Sequence, residues 1–328
     1  MFNDSIKTYI IAEIGINFSG KFSNIIKLIN QAKKSGADAV KFQLFKATTL
    51  SNKQISKSNY NMWKTMELNS IHVKKIKNIC KKKKIDLFFS VFDESSLDIL
   101  KKHNIKNIKI ASSEVNNIYL LKKISKFAKN VILSTGMATE SEIVKSCKIF
   151  NKLNLGILHC VSLYPTPDNL CNLNRMINIQ KKFKNIPVGY SDHQIGIDAC
   201  LLAISKEAKI IEKHFTYNKN LIGADHNISA DYIDLKKICY FRNKIFSLLG
   251  SGKITPSLKE KKNIFLFRKG AYAKQLIKKN QKIKANMIEL RRPANSFPIE
   301  KLEKYINLKS KREIKYQQKL RVTDFEKN

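Results

Sequence analysis

Polar side chains able to take part in chemistry recur at the ends of short apolar segments between residues 9 and 215. They are Glu13, Lys41, Gln43, Ser90, Lys109, Ser112, Glu114, Ser134, His159, Ser191, Asp192, His193, Glu212 and His214. A charge in an otherwise apolar segment is costly unless it is paired or used. Any one of these side chains could belong to a satisfied polar layer, but their repetition along the chain favours a functional site.

The types of side chain indicate which chemistry such a site could perform. Neutral imidazoles of His193 and His214, at the ends of two neighbouring segments, could share one divalent metal whose shell water completes. Lys41, Lys109 and the later Arg292 suggest an anionic substrate. The serines add hydroxyl donors. Together these groups point to a metal beside a phosphate or carboxylate, and so to Lewis-acid carbonyl activation or phosphoryl chemistry.

The apolar segments that carry these residues read as buried parallel strands, because they are short and rich in β-branched residues. The predicted strands are Tyr9–Ile14, Ala39–Leu44, Leu87–Phe92, Asn107–Ala111, Val131–Ser134, Gly156–Val161, Val188–Tyr190 and Ile210–Phe215. Helical patterns alternate with them, for example over Asn24–Ser35 and Leu120–Ala128. Eight strand–helix units predict an α/β fold of the (β/α)8 TIM-barrel type, whose chemistry lies where the strands end. A doubly wound sheet is the alternative, but the first strand is followed by Gly15-Ile16-Asn17 without a glycine-rich fingerprint.

The chain divides after the barrel pattern. Residues 1–250 form the predicted catalytic barrel, and the polar run over 251–267 is a predicted linker. Residues 268–328 form a small β-rich domain with strand-like segments at Ala271–Ile277 and Met287–Leu290. About 60 residues make a thin core, so this domain is expected to pack on the barrel or on a partner chain.

Composition narrows the class of protein. The chain has 62 Lys and Arg against 26 Asp and Glu, a net charge of +36, which suggests binding to nucleic acid. Only seven of the basic residues are Arg, however, and base readout favours Arg over Lys. Specific nucleic-acid binding therefore stays a remote alternative, because Ile and Asn, which like Lys use AT-rich codons, are abundant as well and the composition of the genome explains the excess of Lys equally well.

The sequence shows neither a predicted signal for export nor a predicted membrane-spanning segment. The first residues do not fit a signal peptide, and no apolar run approaches the ~18 residues of a membrane span. The six cysteines have no CxxC spacing, which indicates reduced thiols in a cytoplasmic protein.

Ten motifs in order resemble one family, the sialic acid synthases of the bacterial N-acetylneuraminate synthase type. They are Ile11-Ala12-Glu13-Ile14-Gly15-Ile16-Asn17, Ala37-Asp38-Ala39-Val40-Lys41-Phe42-Gln43, Lys109-Ile110-Ala111-Ser112, Glu114-Val115-Asn116-Asn117, Ile132-Leu133-Ser134-Thr135-Gly136-Met137, Leu158-His159-Cys160, Tyr164-Pro165-Thr166-Pro167, Gly189-Tyr190-Ser191-Asp192-His193, Glu212-Lys213-His214-Phe215-Thr216 and Gly223-Ala224-Asp225-His226. Residues 268–326, with Arg291-Arg292-Pro293, resemble the family's C-terminal antifreeze-like (SAF) domain.

The resemblance implies a role for each matched residue. It makes His193 and His214 the ligands of a divalent metal, usually manganese, with magnesium and cobalt as alternatives. The residues implied to bind phosphoenolpyruvate are Lys41, Lys109, Ser112, Ser134 and Ser191. Those implied to surround the reacting sugar and water are Glu13, Gln43, Glu114, Tyr164 and Asp225. Arg292 matches an arginine that one subunit lends to its partner's site, which implies a domain-swapped homodimer.

The implied reaction condenses phosphoenolpyruvate with N-acetylmannosamine, releasing phosphate by C–O cleavage, with Glu114 expected to stabilise the cation at C2. A 2,4-diacetamido-trideoxyhexose, leading to legionaminic acid, is the alternative acceptor. Two departures from the family pattern affect the site. Phe18 stands where the family often has His, and the third strand reads Ser90-Val91-Phe92, one residue short, so that Ser90 is expected to replace a missing threonine. A barrel that has lost activity through this strand is a further alternative.

Overall fold

The structure, a computed structural model, describes residues 7–326 and confirms the predicted barrel. Eight parallel strands close in chain order, each bonded to the next and the last to the first. They are β1 (Tyr9–Gly15), β2 (Ala39–Leu44), β3 (Asp86–Val91), β4 (Asn107–Ile110), β5 (Asn130–Ser134), β6 (Asn154–Cys160), β7 (Val188–Asp192) and β8 (Ile210–His214). Every strand lies within two residues of its predicted bounds, because each is a short apolar run between polar turns.

Helices surround the barrel. They are α1 (Phe22–Ser35), α2 (Ala47–Leu50), α3 (Lys57–Thr65), α4 (Ser70–Lys83), α5 (Glu94–Lys102), α6 (Ile118–Ser125), α7 (Glu140–Ile149), α8 (Leu173–Lys182), α9 (Asp198–Ser205) and α10 (Tyr232–Leu249). The ends of α1 and α7 follow from sequence: Gly36 closes α1 at a φ of 93°, which favours glycine. Thr139 and Glu142 form the predicted capping box of α7.

The barrel interior changes from apolar to polar along the strands. A buried apolar cluster fills its lower part and consists of Tyr9, Ile11, Ala39, Phe88, Ile132, Leu158 and Ile210. Two residues further along the same strands come Glu13, Lys41, Ser90, Ser134, Cys160 and Glu212. Because strand side chains repeat with a period of two, these residues form a second layer at the carboxyl ends, here called the polar layer.

The polar layer corrects one expectation from the sequence. His159 lies at the end of β6, but the alternation makes Cys160, not His159, the member of the polar layer on this strand. The His159 Nε2 lies 2.9 Å from the carbonyl oxygen of Cys171, and its ring packs against Tyr190. His159 is therefore a core histidine.

Residues 251–328 form a second compact unit. Strands β9 (Gly270–Ala273) and β10 (Ile288–Arg291) pair antiparallel. Its core comprises Ala271, Ala273, Ile277, Ile283, Met287, Phe297, Ile314, Leu320 and Phe325. Within the predicted linker the structure has helix α11 (Leu258–Phe267), which begins at a capping box between Ser257 and Glu260. No helix among residues 7–326 is long and apolar enough to cross a membrane.

Candidate active site

Two lysines and two glutamates are paired inside the polar layer. The Nζ of Lys41 lies 3.2 Å from Oε1 of Glu13 and 3.4 Å from Oε2 of Glu212. The Nζ of Lys109 lies 3.4 Å from Oε1 of Glu212. All four side chains are buried, and the register explains their meeting, since Glu13 is opposite Lys41 on the neighbouring strand. The structure thus brings the two sequence-predicted cations, Lys41 and Lys109, together around the carboxylate of Glu212, which compensates part of their positive charge.

The charge state of this cluster follows from burial and pairing. Burial opposes the charge of Lys41, but Glu13 and Glu212 outweigh it and raise the pKa of Lys41. Burial lowers the pKa of Lys109, only partly offset by Glu212. Burial raises the pKa of Glu13 despite the attraction of Lys41. A carboxyl group held partly protonated near neutral pH is suited to exchange a proton with a substrate.

Hydroxyl groups surround these charges. Ser90 Oγ accepts a hydrogen bond of 3.1 Å from Lys41, and Ser191 Oγ donates one of 2.9 Å to Glu212. Ser134 Oγ is buried and has no hydrogen-bond partner. A buried, unpaired hydroxyl is costly in a protein interior unless a ligand completes its bonding. Ser134 therefore fits the expected role of a ligand contact.

Ser112 is fixed at the entrance by a close approach of the backbone. Its Oγ accepts a hydrogen bond of 3.0 Å from the Gly136 amide and lies 3.0 Å from Cys160 Sγ. A Cβ atom at Gly136 would lie 2.3 Å from Ser162 Oγ and 2.9 Å from Ser112 Oγ. Any larger residue at this position would force these side chains or the backbone to shift.

The two expected metal ligands lie next to each other, with ring centroids of His193 and His214 5.5 Å apart. Burial, with the neighbouring His214, lowers the pKa of His193 to about 4. Burial, with Lys41, lowers the pKa of His214 to about 3. Both imidazoles are therefore neutral at pH 7, the state in which they bind a metal.

The surroundings of the two rings fit a divalent metal. His193 Nδ1 is 2.7 Å from the Val161 carbonyl oxygen, a contact that makes Nδ1 the donor and leaves Nε2 as a free acceptor. His214 Nδ1 is buried without a hydrogen-bond partner and lies 3.6 Å from Oδ2 of Asp225. Within residues 7–326, no three His, Cys, Asp or Glu side chains come together as a metal-binding group. A metal at this pair would therefore need water or substrate oxygens to complete its shell.

A cavity of about 510 Å³ opens beside these groups. Of the sequence-predicted residues, it is lined by Gln43, Ser112, Tyr164, His214 and Asp225. The Tyr164 ring packs on His193 with centroids 4.1 Å apart. Gln43 Nε2 donates a hydrogen bond of 3.3 Å to Glu13, linking the cavity to the lysine–glutamate cluster.

Two sequence-predicted residues make their described contacts outside the cavity lining and the lysine–glutamate cluster. Glu114 is outside the set that lines the cavity, and its carboxylate accepts hydrogen bonds from Asn117 Nδ2 at 2.8 Å and from Ser113 Oγ at 3.1 Å. Arg292 lies in the second unit, where its Nε donates to the Phe267 carbonyl oxygen at 2.7 Å. The catalytic role of Glu114 and the intersubunit role of Arg292 stay predictions.

Sequence reasoning missed part of the site. Glu212 is recognisable from the sequence as a polar strand end, and its i, i+2 spacing to His214 indicates a shared face, but neither feature assigns it a role. An apolar wall of the cavity, formed by Leu50, Trp63 and Phe92, was not predicted. Leu50 and Trp63 lie on α2 and α3, for which the strand-end pattern gives no signal. Phe18, in turn, is 3% exposed, packs in the hydrophobic core and does not line the cavity.

Comparison with known proteins agrees with this geometry. The chain is 38% identical over 92% of its length, and 95% of the relative's, to the N,N'-diacetyllegionaminic acid synthase of Campylobacter jejuni. It is 35% identical to the protein of the same name from Legionella pneumophila, covering 90% of this chain and 88% of the relative. The crystal structure of an N-acetylneuraminic acid (sialic acid) synthetase from Leptospira borgpetersenii superimposes with a TM-score of 0.74 at 35% identity, covering 80% of this chain and 91% of that one.

The resemblance read from the motifs is thereby confirmed, and the chain is an enzyme of a synthase family. The family model described as the NeuB family matches residues 28–254, which include every strand end from Lys41 to His214. On these grounds the chain belongs to the NeuB family.

Proposed function

We propose that the protein condenses phosphoenolpyruvate with an N-acylated hexosamine to form a nonulosonic acid, releasing phosphate. One observation carries this proposal: two buried lysines and a pair of adjacent neutral histidines lie at the carboxyl ends of the barrel strands. Such a site offers cations for an anionic three-carbon substrate beside ligands for a metal that activates a carbonyl. The named synthases among the relatives support the same reaction.

Phosphoenolpyruvate is assigned to the polar layer. Lys41 and Lys109 would bind its phosphate and carboxylate, displacing part of their attraction to Glu212. The hydroxyls of Ser134 and Ser191, together with Ser112 at the entrance, would supply further hydrogen bonds. Ser90 would take part through Lys41, to which it is already bonded.

The acceptor sugar is assigned to the cavity, in its open-chain form with the aldehyde toward the histidines. A divalent ion held by His193 and His214, manganese being the expected one, would polarise that aldehyde. Gln43, Tyr164 and Asp225 line the same space and would orient the sugar hydroxyl and amide groups.

The bond changes then follow in order. The π electrons of phosphoenolpyruvate form the new bond between its C3 and the aldehyde carbon, leaving a positive centre at C2. The π pair of the aldehyde C=O bond moves onto its oxygen, which takes up a proton to become a hydroxyl group, and the water that adds at C2 supplies that proton. Glu114 would stabilise that charge, and water would add at C2. Glu13, whose pKa is raised by burial, is suited to take the proton from this water. Breaking the C2–O bond to the phosphate releases inorganic phosphate and leaves the C2 ketone.

Isotope labelling tests the reaction. Phosphoenolpyruvate carrying ¹⁸O in its C–O–P bridge should place the label in the released phosphate, because the proposal breaks the C–O bond. Label retained in the sugar product would show that the P–O bond breaks instead, and would contradict the proposed C–O cleavage. No phosphate release with any N-acylated hexosamine in the presence of Mn²⁺ would contradict the function itself. His193→Ala is the matched control and should abolish metal binding and turnover together.

The apolar wall favours one of the two acceptors considered. Phe45 packs edge-on against both Trp63 and Phe92, with ring centroids 5.4 and 6.2 Å apart. Phe45 is itself buried, so the side of the wall that faces away from the cavity is covered by an apolar side chain. A 6-hydroxyl group placed against it would lose hydrogen bonds to water without gaining a partner, whereas a methyl group would gain contact. We therefore favour a 6-deoxy sugar with two acetamido groups over N-acetylmannosamine.

A matched pair of sugars tests this preference without changing the protein. N-acetylmannosamine and its 6-deoxy analogue differ by one hydroxyl group, and an apolar pocket discriminates such pairs by about 10- to 100-fold in kcat/KM. We expect the 6-deoxy sugar to react faster by that factor and to change the fluorescence of Trp63, the single Trp of the chain. Equal turnover of the two sugars would refute the preference while leaving the synthase function intact.

The proposed function includes a domain-swapped dimer in which Arg292 acts on the partner's site. Mixing subunits tests this arrangement, because Lys41→Met and Arg292→Ala would then disable different sites. Random exchange makes half of the dimers mixed, each with one intact site, so about a quarter of wild-type activity should return. No recovery on mixing, with dimer exchange confirmed, would place Arg292 in its own subunit's site or outside any site.

A further inference from the structure

A fully buried ion pair lies immediately beside the two histidines. Lys213 Nζ is 2.7 Å from Oδ2 of Asp192, and both side chains are 0% exposed. Asp192 and Lys213 are paired across β7 and β8. Each precedes one of the histidines, His193 and His214, in the sequence.

The pair faces away from the cavity, toward the helices. Ser191 and Glu212 bond to each other in the polar layer, so the next residue on each strand points to the opposite face. Cys200, on α9, contacts Oδ2 of Asp192 from that side at 3.3 Å. Neither Asp192 nor Lys213 lines the cavity. A direct contact with substrate is therefore not their role.

The pair also holds the backbone around His193. Lys213 Nζ donates a second hydrogen bond, of 2.5 Å, to the Gln194 carbonyl oxygen, and Asp192 Oδ1 accepts one of 3.0 Å from the Gln194 amide. His193 lies between Asp192 and Gln194, the two residues held by these bonds, and His214 directly follows Lys213. Lys213 thus joins the two histidine-bearing strand ends by two polar contacts, and the Gln194 amide bond to Asp192 fixes the turn that carries His193.

Stability alone is a weak reason for this arrangement. Removing two charges from water costs several kcal/mol per ion, and well-packed apolar residues often stabilise such a position as well or better. Fully buried lysines are correspondingly rare. A pair at this exact place is better explained by the geometry that it imposes.

We infer that Asp192 and Lys213 are positioning residues that fix the separation and orientation of the His193 and His214 imidazoles for a shared divalent cation. The inference rests on the proposed function, since it concerns the metal expected there. Groups behind metal ligands typically contribute 10- to 100-fold to metal affinity, which sets the size of the expected effect.

The experiment measures Mn²⁺ binding to the full-length protein by electron paramagnetic resonance, without substrates, alongside thermal unfolding. Asp192→Asn and Lys213→Met each leave one partner unpaired and should lower both stability and Mn²⁺ affinity. The double variant D192L/K213M removes both charges, so it should regain stability yet bind Mn²⁺ about 10- to 100-fold more weakly than wild type. In turnover, its activation constant for Mn²⁺ should rise while kcat at saturating Mn²⁺ approaches the wild-type value.

A second ion pair provides the control. Asp38 and Arg242 pair at the opposite end of the barrel, where β2 begins. Asp38→Asn should lower stability and leave Mn²⁺ affinity unchanged. A folded double variant that binds Mn²⁺ as tightly as wild type would overturn the inference. If none of the three variants at Asp192 and Lys213 folds, this ion pair is required for folding, and the inference is overturned as well. Wild-type protein that binds no Mn²⁺ would contradict the proposed function instead.

Discussion

Lys41 donates a hydrogen bond of 3.1 Å from Nζ to Oγ of Ser90, across the neighbouring strands β2 and β3. This contact puts a hydroxyl group beside the cation on the third strand, the strand that is one residue shorter than the family pattern. Ser90 is 1% exposed, so its hydroxyl has no access to bulk water as an alternative partner. The ammonium group is thereby oriented by three groups: Ser90, Glu13 and Glu212.

Ser90→Ala is therefore expected to weaken phosphoenolpyruvate binding. Loss of one hydrogen bond to a charged group is worth about 1.5 kcal/mol, or roughly tenfold, so KM for phosphoenolpyruvate should rise by about that factor. The value of kcat should change little, because Lys41 keeps both carboxylate partners. Steady-state kinetics with varied phosphoenolpyruvate measures both constants.

Ser96 offers a matched control for this change. It is also a buried serine, on the helix that follows the same strand, and its Oγ has no hydrogen-bond partner. Ser96→Ala should leave KM unchanged. An equal rise in KM for both variants would show that the effect of Ser90→Ala is one of packing.

Gly136→Ala should disturb the entrance to the same site. The added methyl group would meet Ser162, Cys160 and Ser112 at 2.3 to 2.9 Å, so these side chains or the backbone must move. Overpacking of this kind costs about 1–3 kcal/mol and should raise KM for phosphoenolpyruvate through Ser112 by at least about tenfold. Gly250→Ala is the control: nothing lies within 4 Å of its Cβ position, so at a φ of 61° the added methyl group should lower stability through backbone strain without raising KM. A Gly136→Ala enzyme with unchanged KM would place Ser112 outside the phosphoenolpyruvate site.

The barrel and most of the polar layer could be predicted from the sequence, because both depend on local periodicity. A polar residue two positions beyond an apolar one, as Lys41 follows Ala39, marks the change from the apolar cluster to the polar layer. The same rule assigns Cys160 to the polar layer and His159 to the opposite face of β6, but it can be applied only once the residue at which β6 ends is known.

The rest of the site depends on long-range contacts that no spacing records. Trp63 reaches the cavity from a helix between β2 and β3, and its position is set by Phe45. In the sequence, Asp192 resembles the other polar residues at strand ends. Only the structure shows that its side chain does not line the cavity and pairs with Lys213 instead. The position of the Glu114 carboxylate likewise depends on a turn and on the hydrogen bonds that Asn117 and Ser113 donate to it, which no spacing in the sequence predicts.

Asn117→Asp separates the two roles of this asparagine. Its Oδ1 caps α6 by accepting from the Leu120 amide at 3.2 Å, while its Nδ2 donates to Glu114. Asp caps helices as well as Asn, so stability should change by less than about 1 kcal/mol. The donor to Glu114 is lost and a like charge takes its place, so kcat should fall by about tenfold.

Asn69→Asp is the control for that change, because Asn69 caps α4 by accepting from the His72 amide at 2.9 Å, in a different helix. Its kcat should equal that of wild type. Unchanged kcat in Asn117→Asp would mean that Asn117 does not position Glu114 for catalysis.

Asp93 supplies a prediction about stability and pH. It caps α5 by accepting from the Ser96 amide at 2.7 Å, and its second oxygen accepts from the Lys46 amide and from Thr49 Oγ1, both at 2.9 Å. Burial alone would raise the pKa of Asp93, but hydrogen bonds, those from Ser95 and Ser96 foremost, outweigh it and hold the pKa below its usual value. The carboxylate is thus bound more tightly in its charged form in the folded protein.

The consequence is a stabilisation that is present at neutral pH and lost in acid. Because the folded pKa of Asp93 is lowered, its contribution is complete above the unfolded value of about 4 and disappears as the pH falls through the folded value. At pH 7, Asp93→Asn should reduce the free energy of unfolding by about 1–2 kcal/mol, and the difference from wild type should shrink below about pH 4. Urea unfolding at pH 7 and at lower pH measures both. Asp98→Asn, on the same helix with a 68% exposed side chain, should change stability by less than about 0.5 kcal/mol at either pH. A difference for Asp93→Asn that stays constant down to pH 3 would show that its hydrogen bonds do not favour the charged form.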